Sequence, residues 1–206
     1  MKIEWYGHSC FKITSSNYSI VLDPYNPNMI PGLNKLDLVA NLVLASHEHA
    51  DHNYKKAVKI VEKQRPKSIE INHIDSFHDN KKGELRGKNI ITIIKDNNIK
   101  LAHLGDLGCK LNKEAMKKLT KLDVLLIPVG GHFTIDAKTA KSICDTLKPK
   151  VIIPMHYRSE KFGFDILSKV EEFTKLFNQE KIKNYINNYL EISNSTNNQV
   201  AIFKTK

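Results

Sequence analysis

His47, Glu48, His49, Ala50, Asp51 and His52 follow directly on the apolar run Leu42-Val43-Leu44-Ala45. Three of the chain's nine histidines fall within these six residues, with a carboxylate between the second and the third. Imidazole and carboxylate are the ligand types that borderline cations such as zinc prefer. A strand that ends in a tight loop can turn several of them into one small volume. The segment therefore calls for a fold that gathers loops at strand ends, and it marks a metal site.

Spacing bears on how many ions to expect. His47 and His49, two residues apart in a locally extended turn, can face one ion. Asp51 and His52 are displaced where the chain changes direction. That arrangement suits two adjacent ions better than one, and two ions need ligands from other strand ends. His78, Asp106 and His156 each follow an apolar segment and are of the right type. Gly105 and Gly108 flank Asp106 and permit a tight turn there. Each of the three alone says little, because a lone histidine after a strand is more often a satisfied structural residue.

The periodicities predict mostly strands at the start and strand-helix-strand units later. Short strands are expected over 2–6, 10–15 and 18–23. Residues 24–36, with three prolines and a glycine, read as a long loop. Residues 38–45 read as one strand buried on both faces. Residues 54–64 have helical spacing, with lysines opposite Ala57, Val58, Ile60 and Val61. Strands are expected over 67–71 and 74–78, and a hairpin over 89–104 turning at Asp96-Asn97-Asn98. Asn112 and Asp136 are plausible N-caps for helices running to about 121 and 147. Buried strands over 124–127 and 151–153, a helix over 164–177 and strands near 189–193 and 199–204 complete the chain. No low-complexity linker interrupts this order, so residues 1–206 read as a single domain.

The formal net charge of +10 raises the question of nucleic acid. Only Arg65, Arg86 and Arg158 among the 32 basic residues are arginine, the side chain favoured for phosphate and base recognition. The lysines are spread along the chain, so a solvated basic surface is the better reading, with nucleic acid kept as the lesser alternative. No apolar run approaches the ~20 residues of a membrane span. The N-terminus reads as a strand without a signal-peptide core. Cys10, Cys109 and Cys144 are odd in number and far apart, which suggests a reduced, cytoplasmic setting.

Taken in order, His47-x-His49-x-Asp51-His52, His78, Asp106 and His156 resemble the metallo-β-lactamase superfamily at every signature position. Leu22-Asp23-Pro24 is similar to its early Asp motif. The resemblance covers residues 1 to about 160 well and the C-terminal part in outline. It implies an α/β fold, the four-layered αββα sandwich built of two similar halves. It also implies two divalent ions, zinc first and manganese or iron also suited, since the set has no thiolate. His47, His49 and His78 would hold one ion; Asp51, His52 and His156 would hold the other; Asp106 would bridge them. The ions would share a water or hydroxide ~3.5–4 Å from one metal to the next.

Trp5-Tyr6-Gly7-His8-Ser9-Cys10-Phe11, Pro128-Val129-Gly130-Gly131-His132 and Pro154-Met155-His156-Tyr157 look like the branch that includes ascorbate-6-phosphate lactonase. The His78 segment lacks the HTPGHT-type sequence of glyoxalase II, and position 49 is His where flavodiiron oxidases carry Glu. The expected function is metal-dependent hydrolysis of a small lactone, ester or phosphoester, with a nuclease or phosphodiesterase as the alternative. A non-catalytic protein on the same fold is a third reading, opposed by the intact ligand set. Asp51 and Asp106 are the expected catalytic carboxylates, and His8 could protonate a leaving group. His132 and Arg158 are candidates to bind an anionic substrate. Asp23 could orient a ligand histidine. A homo-oligomer is left open.

Overall fold

The computed structural model describes residues 1–205. Three short antiparallel strands, β1 (Lys2–Trp5), β2 (Phe11–Ser15) and β3 (Tyr18–Leu22), open the chain. Ser16 and Asn17 join β2 to β3 in a two-residue turn, both with positive φ, as tight hairpins require. Alternation along β3 sorts the side chains by face. Tyr18, Ile20 and Leu22 enter the main hydrophobic core, while Val21 is buried in a second, smaller cluster.

The strand expected over 38–45 is two: β4 (Leu38–Ala40) and β5 (Leu42–Leu44), with half-buried side chains in the second. Asn41 divides them. Its Oδ1 accepts the Ser19 N–H at 2.8 Å, and its Nδ2 donates to Val61 O at 2.9 Å. β5 runs parallel to β3, and β4 pairs instead with β6 (Val58–Ile60). The helix expected over 54–64 is therefore absent, apart from one 3-10 turn at Lys55–Ala57. The residues that gave the helical pattern are largely β-branched, and Val58 gains burial by pairing with Leu38.

β7 (Ile69–Phe77) is one continuous strand where two were expected. It pairs antiparallel with β8 (Lys88–Asp96), which returns through Asn97 at φ +52 to β9 (Ile99–His103). Asn112 caps α1 (Lys113–Lys118) through the Ala115 N–H at 2.8 Å. β10 (Val124–Pro128) follows, then α2 (Ala137–Leu147), capped by Asp136 through the Thr139 N–H at 2.8 Å. After β11 (Val151–Met155), the helix expected over 164–177 shrinks to α3 (Glu171–Thr174), because residues 158–170 form turns tied to Gly130 and Leu167 carbonyls. β12 (Ile182–Tyr185) was not foreseen. β13 (Tyr189–Glu191) and β14 (Gln199–Phe203) end in different sheets.

One sheet has the order β13-β1-β2-β3-β5, the other β12-β14-β11-β10-β9-β8-β7. Their inner faces meet in a core that draws Ile3, Phe11 and Ile20 from the first and Ile91, Leu101 and Leu125 from the second. β10 and β11 are buried along their whole length. α2 lays Ala140, Ile143, Cys144 and Leu147 on the outer side of the second sheet. The outer face of the first sheet is covered by the proline-rich segment, through Tyr25, Ile30 and Leu36, and by the β4–β6 ribbon. The layers follow the mixed α/β sandwich expected. Cys10, Cys109 and Cys144 are unbridged. Among the described residues no helix is long and apolar enough to cross a membrane.

Strand directions decide where loops converge. β1, β3 and β5 run the same way in one sheet, as do β7, β9, β10 and β11 in the other. Their C-terminal ends deliver His8, Asp23, His47–His52, His78, Asp106 and His156 to one edge of the sandwich.

Candidate metal centre

Asp106 is the hub. Its Oδ2 lies 3.1 Å from His52 Nε2, 3.1 Å from His156 Nε2, 3.3 Å from His78 Nε2 and 3.9 Å from His47 Nε2. Donor atoms of His47, His49 and His78 form one tight group, those of Asp51, His52, His156 and His8 a second, and His47, His52 and Asp106 link the two. All seven residues read as ligands from the sequence are thus brought together.

Hydrogen bonds fix which nitrogens face the centre. Asp23 Oδ2 accepts the Ser46 hydroxyl at 2.6 Å, so Ser46 Oγ must receive the proton of His47 Nδ1 at 2.9 Å. His52 Nδ1 donates to Asp23 Oδ2 at 2.8 Å. Both rings therefore turn Nε2 inward, toward Asp106. Neither of these Nε2 atoms, nor Asp106 Oδ1, has a hydrogen-bond partner, although all are buried. Such groups are rare in proteins unless something else takes their lone pairs. By contrast His103, at the end of β9, is fully used: Nε2 donates to Ser9 O at 2.9 Å and Nδ1 accepts the Gly105 N–H at 3.1 Å.

Electrostatics point the same way. Burial and the neighbouring His52 push His47 down to about 3. Burial alone would raise the Asp106 carboxyl, but the imidazoles of His156 and His52 hold it well below the usual range. Burial likewise opposes charge on His52, yet Asp106 and Asp23 hold that imidazole well above its ordinary value. The protein alone balances these carboxylates only through the imidazoles around them. A divalent cation would do so more completely, and the nitrogen and oxygen donor set suits zinc, manganese or iron. The residues fit a metal centre.

The backbone is shaped around it. Asp106 N–H donates to Asn89 Oδ1 at 2.8 Å, while Asn89 Nδ2 donates to Leu104 O at 3.0 Å and Ser76 Oγ at 2.7 Å. Gly105 has φ +55, and a Cβ there would stand 2.4 Å from Asn89 Oδ1 and 2.5 Å from Ser46 Cβ. A Cβ on Gly108 would stand 2.4 Å from the His78 carbonyl carbon. The loop after His78 wraps the Asp79 carboxylate, which accepts backbone N–H groups from Lys81, Gly83, Leu85 and Arg86 at 2.7–3.0 Å. Ser46 was marked in the sequence only as a functional residue type at a strand end, and Asn89 and Asp79 were not singled out. A single Ser, Asn or Asp carries no periodic signal, although the Ser46-His47 and His78-Asp79 adjacencies were visible.

The remaining sequence candidates are placed as follows. Asp23, at φ +48, backs His52 and Ser46. His8 is buried beside His156, with ring centroids 4.1 Å apart. His132 is exposed at φ +53 and stacks edge-on with Phe133. Phe133 touches Phe164, which touches His8, so this aromatic row leads from His132 to the centre. Arg86 lies over the Phe133 ring, 5.6 Å from its centroid. Arg158 gives its Nε–H to Leu167 O at 2.8 Å, within the loop after His156. Glu48 is exposed and accepts from Asn53.

Known proteins share this arrangement of sequence and fold. The beta-lactamase superfamily domain matches residues 2–156. A UPF0173 metal-dependent hydrolase of Lawsonia intracellularis is 28% identical, over 89% of this chain and 90% of its own. A UPF0173 protein of Pyrococcus abyssi is 31% identical, over 76% and 83%. A crystal structure from Thermotoga maritima, named as a candidate zinc-dependent hydrolase of the metallo-β-lactamase superfamily, superposes with TM-score 0.78 at 34% identity, covering 100% of this chain and 99% of that one.

Proposed function

Since the chain belongs to the metallo-β-lactamase superfamily of metal-dependent hydrolases, we propose that its seven clustered ligands hold two divalent cations and cleave a small, anionic lactone, ester or phosphoester. One observation supports this reading above the others. Asp106 Oδ2 lies within 3.1–3.9 Å of ring nitrogens from both groups, His78 and His47 as well as His52 and His156, so one carboxylate could serve both ions.

His47, His49 and His78 would hold one ion, Asp51, His52 and His156 the other, with Asp106 common to both. Such cations supply Lewis-acid polarisation of the scissile group and make water nucleophilic near neutral pH. The chain's own groups do the rest. Asp23 and Ser46 lock the tautomers of His52 and His47. Asp106 and Asp51, both held ionised, would stand beside the nucleophilic water as acceptors. His8 acts at the centre, on the side of Asp51. Phe133 and Phe164 would line the approach, with His132 and Arg158 as the candidates to meet substrate.

The test is turnover by the metal-loaded protein on lactones, aryl phosphodiesters and single-stranded RNA, beside His49→Ala. Lactone or phosphodiester cleavage lost in His49→Ala supports the proposal. Cleavage of RNA alone, or turnover unchanged in His49→Ala, overturns it.

A further inference from the structure

The His8 imidazole is enclosed in the cluster without a hydrogen bond. It occupies the turn between β1 and β2 at φ +49. Two donors clamp its carbonyl: Trp5 Nε1 at 3.0 Å and the backbone N–H of His156 at 3.3 Å. These bonds hold the ring 4.1 Å from that of His156 and 5.0 Å from that of His52, centroid to centroid. None of the side chain is exposed, and neither Nδ1 nor Nε2 has a hydrogen-bond partner. Nε2 faces Asp51 Oδ2 at 3.5 Å, too far for a good hydrogen bond.

Burying an imidazole with both nitrogens unpaired is costly unless a lone pair is otherwise engaged. The donor atoms of His8, Asp51, His52 and His156 all lie within 4.8 Å of one another. A leaving-group acid, the role the sequence suggested, must be reloaded with a proton at every turnover, and this ring has no surface in solvent. We infer that His8 is itself a ligand, adding its imidazole to Asp51, His52 and His156 around the second ion. The inference rests on the two-ion reading.

The assignment makes the two halves of the centre unequal. The second ion is enclosed by four side chains of which three are buried. The first is held by His47, His49 and His78, and His49 is exposed. The first ion, held by fewer and more exposed side chains, would then be the one left accessible to substrate.

The experiment is titration of Co²⁺ into the metal-free full chain, read by calorimetry and by d–d absorption. His8→Asn removes the imidazole and keeps a residue that tolerates positive φ. The wild type is expected to take two ions. His8→Asn is expected to keep one at wild-type affinity and bind the other at least ~10-fold more weakly, with half of the spectrum altered. In His8→Gly, added imidazole is expected to restore the second ion. Two ions bound as in the wild type by His8→Asn, equal weakening of both, or no restoration by imidazole would overturn the assignment while leaving the two-ion centre intact. Fewer than two ions in the wild type would overturn both.

Discussion

Asp23 Oδ2 lies 2.8 Å from His52 Nδ1, and Oδ1 of the same carboxylate takes the Ser46 N–H at 2.7 Å. One buried side chain thereby sets the tautomer of His52 and, through the Ser46 hydroxyl, that of His47. Asp23→Asn keeps the shape and tolerates φ +48, but offers an amide N–H or a weaker acceptor where His52 needs a carboxylate. Metal affinity should fall ~10–100-fold. Competition with a chromogenic chelator measures it, and an unchanged affinity would show that Asp23 does not act on the ligands.

Asn89 is fully buried and joins three partners. Asn89→Leu leaves the Asp106 N–H and the Leu104 carbonyl unpaired. The expected loss is about 2–6 kcal/mol of stability, from ~1–3 kcal/mol for each of the two stranded groups. Urea unfolding of the metal-free protein reads this apart from any effect on ion binding.

Asp79 should govern acid stability. Burial would raise its carboxyl, but the N–H groups of Arg86, Gly83, Lys81 and Leu85 bring it down to about 2, from an ordinary 3.8. A folded-state pKa below the unfolded value stabilises above pH ~4, and that contribution disappears as pH falls toward 2. Asp79→Asn should therefore be less stable than the wild type at pH 6 and converge with it near pH 2. Parallel curves over that range would count against the loop cage.

Asn112 and Asp136 cap their helices through single side-chain bonds. Asp136→Ala should cost about 1 kcal/mol in thermal or urea unfolding without touching ion binding, since the cap lies outside the ligand set. A loss of bound metal in this variant would mean that α2 carries more of the centre than its contacts indicate.

These caps were legible in the sequence, as were the 96–99 hairpin and the seven residues that cluster at and around Asp106. Each is announced by local chemistry: an Asn or Asp before a helical run, Asn in a two-residue turn, His and Asp after apolar segments. The failures arise where distant pairing outweighs local pattern. Val58, Ile60 and Val61 show helical spacing, but the backbone of β4 offers them a partner. Residues 38–45 look like one strand until the Asn41 amide bonds both Ser19 and Val61. The backing residues Ser46, Asn89 and Asp79 acquire meaning only once β3, β5, β7 and β9 end at one edge. His8 was visible as a turn residue, while its burial among the ligands depends on a bond to His156, far along the chain.

Asp106 is proposed to join two ions in one centre. Native mass spectrometry of the protein reconstituted with Zn²⁺, together with elemental analysis, counts them directly. Two ions per chain are predicted for the wild type, with at least one lost in Asp106→Ala. A single ion at saturation in the wild type, or two retained by Asp106→Ala with unchanged affinity, would contradict it.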